Sequence, residues 1–369
     1  MTINHKELRL QEIITQVREK EFKYMPREKK KINWRAYDKA QYHEIAEMLD
    51  FIREIVNVSE ERIAARKPKK QPNSVGHPEE IPPSDVLKIL LMQTYFEESN
   101  RVAEGLGVLF SDRLGLRTSF GYKTIERGYA NPGVDELIEE ARVLTNEPVK
   151  NLETIFSIDG TGHSTSNKQN YQSDRHKQRQ DNASKKIVTD AFATGSKPYV
   201  SNAAVIGVTY KLYAAWSSTT NKHVGESTMF NDVFEDAQEI HPQMHYLLGD
   251  GLYANRPKCK TVGNAGVIPI FLPARNVTMK KKGVKEWVTM LTYILEKPQE
   301  FLERYHERSI SETGFSMDER AYPRPILKRL PIRKETASGL RFLCHNVKQL
   351  VYIKYLCEEV KVTFSNQAN

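Results

Sequence analysis

Two short apolar runs, each ending at an aspartate next to glycine, limit the possible folds of this sequence more than any other feature. The first run covers residues 155–158 and leads into Asp159-Gly160. The second covers residues 246–248 and leads through Gly249 to Asp250. Short apolar runs bounded by turn residues are typical of buried strands. The sequence therefore predicts two strands that each carry a carboxylate at the carboxyl end.

The carboxyl ends of strands are where open α/β sheets bind their ligands. If the two predicted strands are neighbours, Asp159 and Asp250 lie side by side, and two anions so close need a cation or a shared proton. A Mg²⁺ ion, which takes hard oxygen ligands, would satisfy them. The alternative is that each aspartate only begins a turn, which Asp-Gly often does.

The surrounding sequence predicts a mixed α/β sheet flanked by helices. Residues 205–216 have the β-branched and aromatic composition of one long strand, and residues 226–240 have the periodicity of an amphipathic helix. A helix over 256–263 and a strand over 267–272 follow, and this alternation favours a mixed sheet covered by helices. His163 and Trp287 are interpreted as an exposed loop histidine and a core tryptophan.

A third acidic residue lies in residues 301–317, which read FLERYHERSISETGFSM and are predicted to be one helix. Tyr305, Arg308 and Glu312 have the spacing i, i+3 and i+7, which places them on one helix face. Such a face could bind metal and phosphate together, because arginine can hold a phosphate through two hydrogen bonds. The alternative is a charged surface helix with an Arg–Glu pair.

The first half of the sequence is predominantly helical. We predict four regions: a charged helical region over 1–65, a linker rich in proline and lysine over 66–83, a helical domain over 84–148, and an α/β domain over 149–362. Ser84 is predicted to cap the first helix of the helical domain. Three short helices, the last with Lys123 and Arg127 on its exposed side, are typical of a helix-turn-helix DNA reader. An ordinary helical subdomain is the alternative.

The charge balance favours a polyanionic partner, although a solvated basic surface remains open. The formal net charge is +8 and the pI is about 9.1. Lys185 and Lys186 follow the first aspartate and could contact a nucleic acid backbone. The three cysteines are an odd number without metal-finger spacing, which favours a reducing compartment. Because no apolar run approaches about 18 residues, we expect a cytoplasmic protein.

The aspartate motifs resemble those of DDE-type insertion-sequence transposases of bacteria and archaea. Residues 157–161 are similar to the first-aspartate strand of that family. Residues 248–253 resemble its second motif, in which Tyr253 follows Asp250 by three residues.

The third motif of the same family has the form Tyr-x2-Arg-x3-Glu-x6-Lys. Tyr305, Arg308 and Glu312 match it. The lysine of the motif falls at Glu319, which is a departure from the pattern, and the neighbouring Arg320 could supply the positive charge.

The resemblance implies a ribonuclease-H-like sheet in which Asp159, Asp250 and Glu312 hold two Mg²⁺ ions, with Mn²⁺ as a substitute. It also implies metal-dependent cleavage at the terminal inverted repeats of a transposon and strand transfer into target DNA. Tyr305 and Arg308 would then contact DNA near the cut. A homodimer is expected, because two ends must be brought together.

Two other functions remain open at this point. The chain could be a transposase-derived DNA-binding protein without catalytic activity, an alternative supported by Glu319 in place of lysine. It could also be a metal-dependent nuclease without a strand-transfer step, because the carboxylate chemistry is shared.

Overall fold

The computed structural model describes residues 5–23, 33–67, 81–166 and 199–364. Lys185 and Lys186, as well as most of the predicted linker, lie outside the described residues. The helices of this part of the chain are α1 (His5–Arg18), α2 (Trp34–Arg66), α3 (Pro83–Phe96), α4 (Asn100–Leu109), α5 (Ser111–Leu114), α6 (Tyr122–Gly128), α7 (Pro132–Asn146), α8 (Glu226–Ile240), α9 (Arg256–Asn264), α10 (Lys285–Glu296), α11 (Pro298–His306), α12 (Ser309–Ala321) and α13 (Pro331–Leu356). The strands are β1 (Ile155–Ser164), β2 (Tyr199–Gly207), β3 (Tyr213–Thr219), β4 (Tyr246–Gly249) and β5 (Ile268–Phe271).

Within the described residues, five strands form one sheet in the order β3-β2-β1-β4-β5. The central strand β1 pairs antiparallel with β2 and parallel with β4. At the edges, β3 pairs antiparallel with β2, and β5 pairs parallel with β4. The predicted mixed α/β sheet flanked by helices, preceded by a helical region, is confirmed.

The single strand predicted over residues 205–216 is wrong, because the chain turns back in the middle of it. Strand β2 ends at Gly207 and β3 begins at Tyr213. The backbone N–H groups of Thr209 and Tyr210 both donate to the buried carboxylate of Glu153, at 2.8 and 2.9 Å. That carboxylate satisfies the two turn donors, which allows an apolar, β-branched stretch to form a hairpin.

One hydrophobic core packs against the sheet. Helix α8 contributes Phe230 and Phe234 to it, and β5 contributes Phe271. Helix α1 joins the same core through Leu10 and Ile14, which are both fully buried. The first helix of the chain therefore packs on the α/β part of the molecule.

A second core lies among α2, α3, α7 and α13. Helix α2 has 33 residues, and its buried side chains extend from Ala40 to Ile63. Arg62 of α2 is buried and bonds to Glu147, just after α7, at 3.0 Å. Helix α13 also contacts β3 and so links the helical part to the sheet.

The predicted cap at Ser84 is wrong. Helix α3 begins at Pro83, a residue whose fixed φ suits the first helical position. Ser84 therefore lies within the first turn, and its hydroxyl donates to Glu60 of α2 at 2.7 Å.

Among the helices of the described residues, none combines the length and the apolar character that crossing a membrane requires.

Candidate functional site

Asp159 and Asp250 occupy neighbouring positions on two adjacent parallel strands. The parallel pairing of β1 with β4 ends at Ile158 and Gly249, and each aspartate follows directly. Strand β4 ends there, but β1 continues to Ser164 along β2, so the predicted strand end at Asp159 is wrong. Parallel strands lie about 4.8 Å apart, so the two carboxylates lie side by side at the point where β4 ends. Both side chains are half-buried. The structure thus brings together the two residues that the sequence singled out separately.

Asp159 is held in place by two hydrogen bonds. Its carboxylate accepts one hydrogen bond from the backbone N–H of Gly160 at 2.9 Å and another from the Ser311 hydroxyl of α12 at 3.1 Å. Burial raises the pKa of Asp159, and the charge of Asp250 raises it further, while the two hydrogen bonds and Arg308 oppose the shift. The Asp250 carboxylate accepts the N–H of Leu252 at 2.7 Å.

The single helix predicted over residues 301–317 is wrong, because it breaks between α11 and α12. The backbone N–H groups at the junction bond to the carbonyl three residues back, as for Arg308 to Tyr305 and Ser311 to Arg308. Such bonds tighten a helix, and residues 307–308 form a turn between the two helices. Tyr305 therefore lies in the last turn of one helix, and Glu312 lies in the first turn of the next.

Tyr305, Arg308 and Glu312 nevertheless lie together across this break. The Arg308 guanidinium lies 5.4 Å from the centre of the Tyr305 ring, and it forms an ion pair with Glu312 at 3.0 Å. Burial raises the pKa of Tyr305, and Arg308 opposes this shift. The arrangement fixes a guanidinium close enough to Asp159 to oppose the rise in its pKa.

Glu312 is an exposed residue of α12. Its side chain is 59% exposed and bonds to Arg308, whereas its neighbour Ser311 contacts Asp159. In the part of the chain that the structure describes, no three His, Cys, Asp or Glu side chains are arranged to hold a metal ion as they stand.

The sequence reasoning missed Glu226, the first residue of α8. Its carboxylate lies against the backbone of Gly160, so close that a methyl group on Gly160 would overlap it. Burial raises the pKa of Glu226, and the charges of Asp159 and Asp250 raise it further. An acidic residue in a first helical turn is common, because it complements the helix dipole. Nothing in the local pattern therefore marks Glu226.

Lys258 and Tyr253 lie beside the same three carboxylates. Lys258 donates to the Ser227 hydroxyl at 2.6 Å, and its ammonium lies 4.6 Å from the centre of the Tyr253 ring. Burial raises the pKa of Tyr253, and the charges of Glu226, Asp159 and Asp250 raise it further. The Tyr253 side chain is fully buried, and its hydroxyl has no hydrogen-bond partner within the described residues.

The residues predicted to contact DNA are spread over the molecule. Lys123 and Arg127 are exposed on α6, which packs on α3 and α4, away from the sheet that carries the carboxylates. Arg320 is exposed near the end of α12, next to the equally exposed Glu319. Lys185 and Lys186 lie outside the described residues.

The interpretation of His163 as an exposed loop residue is wrong. It is buried in β1, and its Nδ1 atom lies 2.7 Å from the Ser338 hydroxyl of α13. Burial lowers the pKa of His163 to about 3. Trp287 is a core residue, as predicted, and its indole N–H donates to the carbonyl of Thr278 at 3.1 Å.

Among known proteins, the probable transposase for insertion sequence element ISA1214 of Archaeoglobus fulgidus is similar to this chain. The two are 25% identical over 338 residues, and the similarity covers 92% of each chain. The chain is a distant relative of a probable transposase. The similarity includes both the helical part and the sheet, so it is not confined to one region. No family model matches the sequence, and no solved structure matches it.

Proposed function

We propose that this chain is a DDE transposase, which cleaves the DNA ends of a mobile element and joins them to target DNA in a metal-dependent reaction. The observation that carries the proposal is the side-by-side position of Asp159 and Asp250, directly after the paired stretch of β1 and β4, in a chain similar over nearly its whole length to a probable transposase. The mixed sheet with β1 at its centre supports a ribonuclease-H-like core.

The residues at the strand ends suit a divalent metal ion. Asp159 and Asp250 offer the hard oxygen atoms that Mg²⁺ and Mn²⁺ take as ligands. The repulsion that helps to raise the pKa of Asp159 would be relieved by a bound cation. Bound ions at such a site supply activation of a water or a 3′-hydroxyl and stabilisation of the leaving oxygen.

Glu312 is the proposed third carboxylate, and its present position does not prevent this role. Its ion pair with Arg308 is half-exposed and has i,i+4 spacing, and such pairs contribute only about 0.3–0.5 kcal/mol. Rotation of the Glu312 side chain therefore costs little. The adjacent Ser311 already contacts Asp159, so this turn of α12 faces the strand ends.

Arg308 and Tyr305 are proposed to position the DNA backbone. A guanidinium can bond two oxygens of one phosphate at once, and Arg308 lies close enough to Asp159 to influence its charge. Release of Glu312 would free the guanidinium for a phosphate. Tyr305, buried beneath it, fixes the side on which the guanidinium lies.

Basic residues elsewhere are proposed to bind the DNA of the terminal inverted repeats and the target. Lys123 and Arg127 would contact the element's ends through α6, and Lys185, Lys186 and Arg320 would contact the backbone near the cut. Contacts of this kind give salt-dependent affinity without sequence preference. We further propose that the chain works as a homodimer, which brings two ends together, in the cytoplasm at the nucleoid.

A plasmid cleavage assay tests the proposal, with the element's own ends as the substrate and Mg²⁺ or Mn²⁺ in the buffer. We expect Asp159→Ala, Asp250→Ala and Glu312→Ala to abolish cleavage while they still bind the ends. Glu235→Ala, an exposed acidic position of α8, is the matched control and should cleave normally. Full cleavage by the aspartate variants would overturn the assignment.

The same assay distinguishes the two other functions. A chain that binds the ends but does not cut them with any divalent ion is a DNA-binding protein. A chain that cuts but never joins a labelled 3′ end to target DNA is a nuclease.

A further inference from the structure

Glu226 lies directly against β1, whereas Glu312 is exposed and bonded to Arg308. Glu226 begins α8, and its carboxylate lies directly on the backbone of Gly160, the residue after Asp159. A β-carbon at position 160 would overlap the Oε2 atom and the carboxyl carbon of Glu226. The absence of a side chain at Gly160 is therefore what allows the carboxylate to reach β1.

The charges around this edge of the sheet do not balance. The charge of Asp250 raises the pKa of Asp159, and both aspartates raise the pKa of Glu226, a shift that the Lys258 ammonium opposes. The nearby Arg308 is engaged by Glu312. Three carboxylates beside one ammonium leave an excess of negative charge, which a divalent cation would neutralise.

Tyr253 gives an independent indication that a ligand belongs here. Its ring packs beneath Gly249, at the end of the strand that leads into Asp250. The side chain is fully buried, yet its hydroxyl has no partner in the described part of the chain, and it faces the three carboxylates. A buried hydroxyl without a partner destabilises the protein. If a cation draws the carboxylates together, one of them can accept from Tyr253.

We propose that Glu226 is an additional carboxylate ligand of the divalent cation site, and that the Tyr253 hydroxyl positions it. The proposal rests on the proposed function in placing the cation at Asp159 and Asp250, and it adds a ligand that the three-carboxylate motif does not include. In this arrangement α8 contributes to the site alongside β1 and β4. Lys258 limits the net charge of the site when the cation leaves.

Binding of Mn²⁺ to the full chain, measured by calorimetry without DNA, tests the proposal. We expect Glu226→Gln to weaken Mn²⁺ binding about 10-fold or more, and Tyr253→Phe, a positioning change, to weaken it less. Glu235→Gln lies on an exposed side of the same helix and is the matched control, with unchanged affinity expected. Circular dichroism of each variant establishes that it folds.

A second measurement uses the natural chain, so it does not depend on the folding of a variant. Fe²⁺ in place of Mn²⁺, with ascorbate and peroxide, cleaves the backbone near the bound ion. We expect cuts next to Asp159, Asp250 and Glu226.

Cuts at the aspartates but not at Glu226, or full Mn²⁺ affinity in Glu226→Gln when Asp250→Asn has lost it, would overturn the role of Glu226 and leave the proposed function standing. If the natural chain binds no Mn²⁺ and Fe²⁺ causes no cuts at any of the three residues, the metal-dependent function fails as well.

Discussion

Replacement of Asp318 by asparagine should loosen the helix that carries Glu312. Asp318 is buried in α12, and its two carboxylate oxygens bond to the Tyr213 hydroxyl at 2.7 Å and to Nδ1 of His345 at 2.6 Å. The other ring nitrogen of His345 bonds to the carbonyl of Lys211 at 2.9 Å. This chain of bonds attaches α12 to the β2–β3 hairpin and to α13.

The expected loss of stability for Asp318→Asn follows from the burial of the Asp318–His345 ion pair. Breaking one side of a buried ion pair costs about 3–5 kcal/mol, because the remaining charge stays unpaired. Asparagine keeps the volume and one acceptor, so we expect about 3 kcal/mol for Asp318→Asn. The control Tyr213→Phe removes one hydrogen bond to a charged group and should cost about 1.5–3 kcal/mol. The double variant should lose less than the sum, since both changes act on one carboxylate.

The pair should also make stability depend on pH. Burial lowers the pKa of His345, but Asp318 and the Lys211 carbonyl outweigh it, and the pKa is raised above its ordinary value. Protonated His345 therefore stabilises the folded state. This contribution is fully present below the pKa of His345 in the unfolded chain, about 6.5, and it is lost as the pH rises through the pKa of His345 in the folded chain. The unfolding free energy of the natural chain should therefore contain a term that falls as the pH rises, and Asp318→Asn should lack it.

Urea unfolding followed by circular dichroism, at about pH 6 and in the alkaline range beyond the raised pKa of His345, measures both effects. Plasmid cleavage should decrease in Asp318→Asn, while binding of the ends should not, because α6 is not attached to this bond chain. Equal stability of Asp318→Asn and the natural chain at both pH values would refute the reasoning.

Three further predictions concern the site and its DNA. Gly160→Ala should push the Glu226 carboxylate aside and weaken Mn²⁺ binding about 10-fold in calorimetry. The urea midpoint should change little, because the displaced group is the end of a flexible side chain. Unchanged Mn²⁺ affinity would contradict this prediction. Lys123→Ala and Arg127→Ala should each reduce the slope of log affinity against log salt by about 0.9, measured by fluorescence anisotropy on end DNA, and an unaltered slope would exclude a phosphate contact. Arg308→Lys should reduce cleavage more than end binding, since lysine cannot bond two phosphate oxygens in a fork; equal losses in both assays would place Arg308 in binding alone.

The positions of Asp159 and Asp250 could be anticipated because the signal is local. In each case an apolar run marks the strand that leads into the aspartate, and the sheet then only has to place the two strands side by side, although β1 continues past Asp159 to Ser164. The periodicity of residues 226–240 predicts α8 with the bounds that the structure shows. These features depend on neighbours a few residues apart.

Glu226 and Tyr253 could not be found in this way. Their proximity to Asp159 depends on how α8 and the segment after β4 fold back over the sheet, across 67 and 94 residues of sequence (226 − 159 and 253 − 159). A glutamate at a helix start and a tyrosine after a strand each have ordinary local explanations.

The predictions that the structure contradicts also failed for reasons that lie far away in the sequence or in the backbone geometry. Glu153 satisfies a turn within residues 205–216, more than fifty residues away. The break before Ser309 comes from hydrogen bonds to the third rather than the fourth carbonyl, which residue spacing does not reveal. His163 is buried because α13 supplies Ser338 as a partner from the far end of the chain.

Strand transfer tests the central claim most directly. A duplex with the element's end sequence, labelled at the 5′ end of the strand whose 3′-hydroxyl is to be joined, is incubated with the natural chain, target plasmid and Mg²⁺. The proposed function predicts label joined covalently to the plasmid, with no joined product from Asp159→Asn or Asp250→Asn although both still bind the duplex. Equal joining by these variants, or no joining by a natural chain that binds the ends and the metal, would contradict it.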